Sequence, residues 1–208
     1  MYEVEAFRED RIEVLHALIK AHPLATLVVT TAQGLEANHI PLLIDPQPTP
    51  FGTLRGHVAR ANPVWRTFDA GMDMLAVFQG PQAYITPSWY LTKAQTGKVV
   101  PTWNYAMVHV HGPLKIIDDA EWLRKLVTCL TESQESPRKK PWHVTDAPSD
   151  YVDTMLKAIV GIEIPVRRLQ GKWKMSQNRL PQDREGVIAG LGARGDAASQ
   201  AMLDALRR

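Results

Sequence analysis

Alternating apolar and polar residues dominate the first half of the chain and predict a series of β-strands. The predicted strands are Leu24–Thr31, Leu35–Ile44, Phe51–Val58 and Met72–Gln79, and Gln82–Thr86 either continues or follows the last of them. Gln33-Gly34 is a turn signal between the first two strands, so these are expected to form a hairpin. A helix comes before them, because Ile12, Leu15 and Ile19 recur at helical spacing before Pro23.

The second half mixes one long predicted strand with amphipathic helices. The strand covers Thr102–Ile117, and a shorter one covers Ile159–Leu169, which Trp173–Ser176 extends. The predicted helices are Asp119–Glu132, Pro148–Lys157, Gln182–Leu191 and Asp196–Arg208. About six strands without regular βαβ alternation favour an α+β or mainly β barrel domain over a doubly wound sheet. We expect one domain over residues 1–208, with a helical C-terminal extension from about residue 181.

Composition and charge narrow the class of protein. The chain has 208 residues, a net charge of +2 and a single cysteine, Cys129. No apolar run approaches the ~20 residues that a membrane helix needs, and the acidic N-terminus is unlike a signal peptide. A dedicated DNA-binding domain normally carries a strong basic excess, which is absent here. We therefore expect a cytoplasmic protein that does not enter membranes.

A turn that follows the third predicted strand is a candidate phosphate site. It lies within Leu54–Pro63, where a strand leads into a predicted helix start. Helix N-termini attract anions, and arginine binds phosphate through charge-assisted hydrogen bonds. Arg60 supplies the cation, and His57 and Asn62 add donors in the same turn. A capped helix with a surface arginine is the alternative interpretation.

Aromatic residues and histidines supply the other candidates. Tyr84, Trp89 and the run Trp103-Asn104-Tyr105 bring flat rings next to amides, a combination suited to a planar ligand or simply to core packing. His109 and His111 share one face of the long strand, but no third ligand stands at a defined spacing. We predict no metal site, and no set of nucleophile, base and orienting group is evident.

Six ordered blocks resemble the PaiB family, whose members are described as FMN-binding negative transcriptional regulators. The resemblance extends from Met1 to about Leu191. The blocks are Pro23–Leu27, Ala37–Leu43, Gly52–Pro63, Phe78–Ile85, Val100–Tyr105 and Gly171–Asn178.

The resemblance implies a fold like pyridoxamine 5′-phosphate oxidase, a six-stranded antiparallel split β-barrel that forms a homodimer and binds FMN between its subunits. By that analogy one group of residues matches the phosphate-binding turn: His57, Ala59, Arg60 and Asn62. A second group would lie near the isoalloxazine ring or close its groove: Trp103, Asn104, Lys174, Ser176 and Gln177. The oxidases have a basic Ser-Arg-Lys run where this chain has Val58–Ala61, so weaker flavin binding is expected.

Three functions remain open at this level. The first is a flavin-binding regulator, with DNA as a candidate partner of Arg138, Lys139, Lys140, Arg167, Arg168 and Lys172, although no recognition helix can be assigned. The second is an FMN-dependent oxidoreductase of the flavin reductase or oxidase type, in which the flavin supplies the redox chemistry. The third is a haem-binding or haem-degrading protein whose axial ligand would come from His39, His57, His109 or His111.

Overall fold

A computed structural model describes residues 1–48 and 50–207. The strands are β1 (Arg8–Glu9), β2 (Leu24–Thr31), β3 (Gly34–Pro41), β4 (Leu43–Asp45), β5 (Thr53–Ala59), β6 (Met74–Ile85), β7 (Thr102–Gly112), β8 (Lys115–Ile117), β9 (Ile159–Pro165) and β10 (Arg168–Lys174). The helices are α1 (Ile12–Ala21), α2 (Val64–Thr67), α3 (Thr92–Thr96), α4 (Ala120–Glu135), α5 (Ser149–Lys157), α6 (Pro181–Arg194) and α7 (Ala197–Leu206). Arg208, the predicted end of the last helix, lies outside the described residues.

The strands form a six-stranded sheet in the order β1-β10-β7-β6-β2-β3 and a four-stranded sheet in the order β4-β5-β9-β8. The pairings with recorded register are antiparallel, as between β2 and β3 or β5 and β9. This arrangement confirms the predicted class, a mainly antiparallel split barrel with surrounding helices. The predicted hairpin is present, since Thr31 pairs with Gly34 across a two-residue turn.

Residue contacts divide the chain into two compact units. Unit 1 contains residues 1–21, 79–109 and 170 onward, and unit 2 contains residues 22–78 and 110–169. In unit 1, β1 pairs with β10, and Leu15 and Ile19 of α1 are buried. In unit 2, β5 pairs with β9, and α4 and α5 pack together through Leu123, Val152 and Leu156.

Two predicted strands have different bounds in the structure. Gln82–Thr86 was expected to continue or follow Met72–Gln79, and it continues it, because β6 runs through Gly80 and Pro81 without interruption. The long predicted strand from Thr102 ends at Gly112 and resumes as β8 after Pro113, because proline cannot donate a ladder hydrogen bond.

Candidate functional site

His57 lies in the middle of β5 in unit 2, opposite Gly161 of β9. Its ring nitrogen Nδ1 is buried and has no hydrogen-bond partner. Gly161 is covered by the indole of Trp122, since a Cβ there would lie 2.4 Å from the Trp122 Cζ3 atom. Burial lowers the pKa of His57 below its ordinary value of 6.5, because a desolvated imidazole favours its neutral form. The imidazole is therefore a neutral group with an unused polar atom.

Arg60 follows β5 and is held by protein acceptors. Its NH1 and NH2 groups donate to the two carboxylate oxygens of Asp118, at 2.9 and 2.5 Å. Its Nε donates to the Lys157 carbonyl at 2.8 Å, and NH2 also donates to the Ile159 carbonyl at 3.0 Å. The hydrogen bond from Arg60 lowers the pKa of Asp118. One of the five guanidinium donors remains for a ligand.

The other two residues of the predicted phosphate turn shape its backbone. The Ala59 carbonyl accepts a hydrogen bond from the Asn62 amide at 2.9 Å. The Asn62 side chain accepts from the Val64 amide at 2.9 Å, at the start of α2, and donates to Asn38 at 2.7 Å. His57 and Ala59 therefore belong to β5, while Arg60 and Asn62 lie in the turn that follows it, and the contact of these residues with phosphate stays a prediction.

In unit 1, Asn104 and Ser176 form a buried pair. Asn104 lies on β7 and is fully buried, while Ser176 follows β10 with a left-handed backbone at φ 58°. The Asn104 Nδ2 and Oδ1 atoms lie 3.0 and 3.1 Å from the Ser176 hydroxyl oxygen. Since each side chain satisfies the other, the pair fixes the end of β10 against β7.

Lys174 and Gln177 flank Ser176 in the sequence. Lys174 Nζ donates to the Thr102 hydroxyl at 2.5 Å. Gln177 accepts from the Met175 amide at 2.6 Å and donates to the Trp173 carbonyl at 2.5 Å, so its side chain closes the turn after β10. Lys174 keeps two ammonium donors for a ligand.

Trp103 is an exposed aromatic residue among the predicted ring contacts. It is 52% exposed on β7 and meets the ring of Tyr84 edge-on, with centroids 6.0 Å apart and planes at 70°. Alternate residues of β7 share one face. That face continues through Tyr105 and Met107 to His109.

A cavity of about 410 Å³ lies on this face, within unit 1. It is lined by Met1, Tyr2, Gln82, Trp103, Tyr105, Met107, His109 and Lys172. Sequence reasoning selected Trp103 but did not group it with Tyr2, Gln82 or Met107. The period-2 alternation of β7 was the available signal for Met107, whereas nothing local linked Tyr2 to this strand.

The basic residues considered for DNA have varied surroundings. Arg138 pairs with Glu135 at 3.0 Å and Arg167 with Asp73 at 2.8 Å, while Lys139 and Lys140 are exposed. Arg168 lies 3.0 Å from the His111 Nε2 atom. Lys172 is only 8% exposed and is therefore unsuited to a DNA backbone contact.

Within residues 1–48 and 50–207, no group of three His, Cys, Asp or Glu side chains is arranged as a metal site. In the same part of the chain, no helix is long and apolar enough to cross a membrane.

Relatives match most of the chain. A protein of Emericella nidulans, AN0679, is 35% identical over 242 aligned residues, which cover 100% of this chain and 96% of the relative. The Bacillus subtilis protease synthase and sporulation protein PAI 2 is 36% identical over 192 residues, covering 92% of this chain and 89% of the relative. This match confirms the PaiB resemblance.

Among solved structures, the flavocytochrome Anf3 from Azotobacter vinelandii superposes with a TM-score of 0.59 over 83% of this chain and 72% of its own. At 11% identity this likeness concerns the fold alone. The family model described as "Putative FMN-binding domain" matches residues 1–168, which confirms a flavin as the expected cofactor class. The chain belongs to this family of FMN-binding domains.

Proposed function

We propose that this protein binds FMN as a homodimer and serves as a PaiB-type transcriptional regulator in the cytoplasm. The observation that carries FMN binding is the buried, unpartnered Nδ1 atom of His57, a residue of β5 that the resemblance assigns to the phosphate site. Buried polar nitrogens without a partner are rare in native proteins, and a bound ligand, an ion or an ordered water is one explanation for them. A phosphate oxygen or a bridging water would satisfy this atom.

The remaining predicted residues have side chains of the chemical types that bind flavins. In unit 2, Arg60 keeps one guanidinium donor, and Ala59 and Asn62 hold the backbone turn. In unit 1, Trp103 offers an open ring face for stacking, Lys174 keeps ammonium donors, and Asn104, Ser176 and Gln177 fix the backbone around it. Bound FMN would supply the redox chemistry, and these residues would hold and orient it.

FMN titration tests this proposal. We expect added FMN to lose fluorescence on binding the protein, and His57→Ala to weaken its affinity about tenfold, the effect of losing one hydrogen bond to a charged group. His39→Ala is the matched control, because His39 is an exposed histidine of the same unit. No binding by the wild type, or equal affinities for wild type and His57→Ala, would contradict the proposal.

The dimer is tested on the same sample. Size-exclusion chromatography with detection at 280 and 450 nm should give one peak at twice the chain mass of 23.3 kDa, carrying flavin absorbance. Flavin that elutes with a monomer would contradict the dimer and leave the cofactor in place.

The regulatory role rests on the family resemblance and on the match to PAI 2. Direct DNA binding predicts that affinity falls steeply with salt, since each phosphate contact releases counterions. The double substitution of Lys139 and Lys140 by alanine should reduce the slope of log affinity against log salt concentration by about the amount expected for two phosphate contacts. DNA binding that ignores salt would contradict a role for this exposed pair.

An FMN-dependent oxidoreductase is the second candidate. It is favoured by the 410 Å³ cavity of unit 1, while Arg138 and Arg167 of the DNA candidates are paired with carboxylates and Lys172 is buried. Bleaching of the flavin absorbance by NADH or NADPH under anaerobic conditions would support the enzyme. A bound flavin inert to both nicotinamides would support the regulator.

A further inference from the structure

Lys172 is a buried cation without a counter-charge. It lies on β10 in unit 1, is 8% exposed, and its Nζ donates to the Tyr2 carbonyl at 3.0 Å. No carboxylate of residues 1–48 or 50–207 forms an ion pair with it. An ammonium has three donors, and a buried charge is costly unless it is both paired and hydrogen-bonded.

Acids on the chain segments next to Lys172 have other partners. Glu9, opposite Gly171 on β1, pairs with Arg11 at 2.6 Å, and Asp10 pairs with Arg8 at 2.7 Å. Glu3 accepts a hydrogen bond from Gln170 at 3.2 Å. None of these carboxylates forms an ion pair with the Lys172 ammonium.

Aromatic rings surround the ammonium. Its Nζ lies 5.4 Å from the centroid of Tyr2 and 5.7 Å from that of Tyr105. Cation–π contacts of this kind offset part of the desolvation but deliver no negative charge. Trp103 and Met107 extend the same wall, and Gln82 adds one amide. The cavity thus combines the ammonium groups of Lys172 and Met1 with flat, polarizable walls.

We propose that this cavity binds a planar aromatic carboxylate, with the ring against Tyr105 and the carboxylate on Lys172. The cavity volume of about 410 Å³ suits a small organic molecule. Met1 also lines the cavity, and its α-ammonium donates to the Gln170 side chain at 3.3 Å, so two cations favour an anionic group over a neutral one. Trp103 borders this cavity and is also the proposed stacking partner of FMN, whereas Lys172 and Tyr105 belong to this site, so the inference does not rest on FMN binding.

A purely structural Lys172 is the competing explanation, since its bond to Tyr2 ties the N-terminal segment to β10. Stability alone cannot separate the two, because both explanations predict a loss when the ammonium is removed. Selectivity between an anion and its neutral isostere separates them, since a structural lysine gives no preference.

Benzoate and benzamide are the probes, and titration of the full chain is followed by calorimetry and tryptophan fluorescence. We expect benzoate to bind about 10- to 100-fold more tightly than benzamide, the range for a buried charged hydrogen bond. Lys172→Met should abolish the preference. Lys20→Met should retain it, because Lys20 is an exposed lysine of α1 in the same unit.

Equal affinity for the two probes, no benzoate binding, or a preference that survives Lys172→Met would each overturn the proposal. If Lys172→Met does not fold, the comparison of probes on the wild type still decides. Benzoate displaced by FMN would assign the cavity to the flavin and overturn a separate site. Benzoate binding by a protein that ignores FMN would refute the proposed cofactor role and leave this inference intact.

Discussion

Arg60, which follows β5 in unit 2, and Lys172, within β10 in unit 1, are two cations that are held in opposite ways. In unit 2, Arg60 gives four hydrogen bonds, two of them to the carboxylate of Asp118. In unit 1, Lys172 is packed among rings and gives one bond to a carbonyl. Arg60 therefore has the Asp118 carboxylate as its counter-charge. Lys172 forms no ion pair within the described residues, so an anionic ligand would supply its counter-charge.

The contrast also concerns what keeps each cation in place. Arg60 is fixed by charge and hydrogen bonds, with its side chain 33% exposed. Lys172 is fixed by the close packing of β10 against its neighbours. A change in packing should therefore disturb unit 1, whereas a change in charge should disturb the turn of unit 2.

The largest effect is expected from Gly171→Val, next to Lys172. A Cβ at this position would lie 2.2 Å from the Leu15 Cδ2 atom and 2.7 Å from the Glu9 carbonyl oxygen. Overpacking of this kind costs about 3 kcal/mol. Urea denaturation should show that loss in the free energy of unfolding.

Gly192→Ala is the matched control in the same unit. Gly192 lies in α6, and the nearest atom to a Cβ added there would be Leu203 Cδ1 of α7, at 3.9 Å. Replacing a helical glycine by alanine should stabilise the protein by about 0.5–1 kcal/mol. A Gly171→Val protein as stable as the wild type would refute the close packing of β10 at Gly171 and, with it, the burial of Lys172.

Much of the fold could be predicted from local patterns. The alternation of β2 and the amphipathic stripe of α4 depend on neighbouring residues, so their periods are visible in the sequence. The hairpin between β2 and β3 likewise follows from a two-residue turn.

The states of the two cations depend on distant residues and were not visible. Arg60 meets Asp118, 58 positions away, and Lys172 meets Tyr2, 170 positions away. A basic residue in a phosphate-like turn predicts an available cation, but its availability depends on such long-range partners. The sequence therefore located the turn through its motif and could not reveal that Asp118 already holds its arginine.

The next effect concerns Asp118→Asn, which would make Arg60 resemble Lys172 by removing its counter-charge. We expect a lower melting temperature, with the difference from wild type shrinking in 1 M salt, because the pair is exposed enough to be screened. FMN affinity should rise about two- to fivefold, since a charge that competes with phosphate is lost.

Asp153→Asn serves as the control, because Asp153 pairs with Arg124 in the same unit and outside the turn. Its salt-dependent stability should change in the same direction, with FMN affinity unaltered. An unchanged or weaker FMN affinity in Asp118→Asn would remove Arg60 from the cofactor site and leave His57 as the polar contact in unit 2.

The smallest effect is the pH dependence contributed by His57. Because burial lowers its pKa below 6.5 in the folded protein, the unfolded chain binds the proton more readily. The stability that comes from the neutral imidazole is fully present above pH 6.5 and is lost as the pH falls through the folded pKa. His57→Gln, which cannot take up that proton, should show a shallower loss of stability than wild type between pH 7 and pH 5. His22 and His111 also have lowered pKa values and remain in both proteins, so the difference between the two curves isolates His57.

Bound FMN phosphate would favour the protonated ring of His57 and reduce this difference between the two stability curves. A difference unaffected by saturating FMN would argue against contact between His57 and the phosphate.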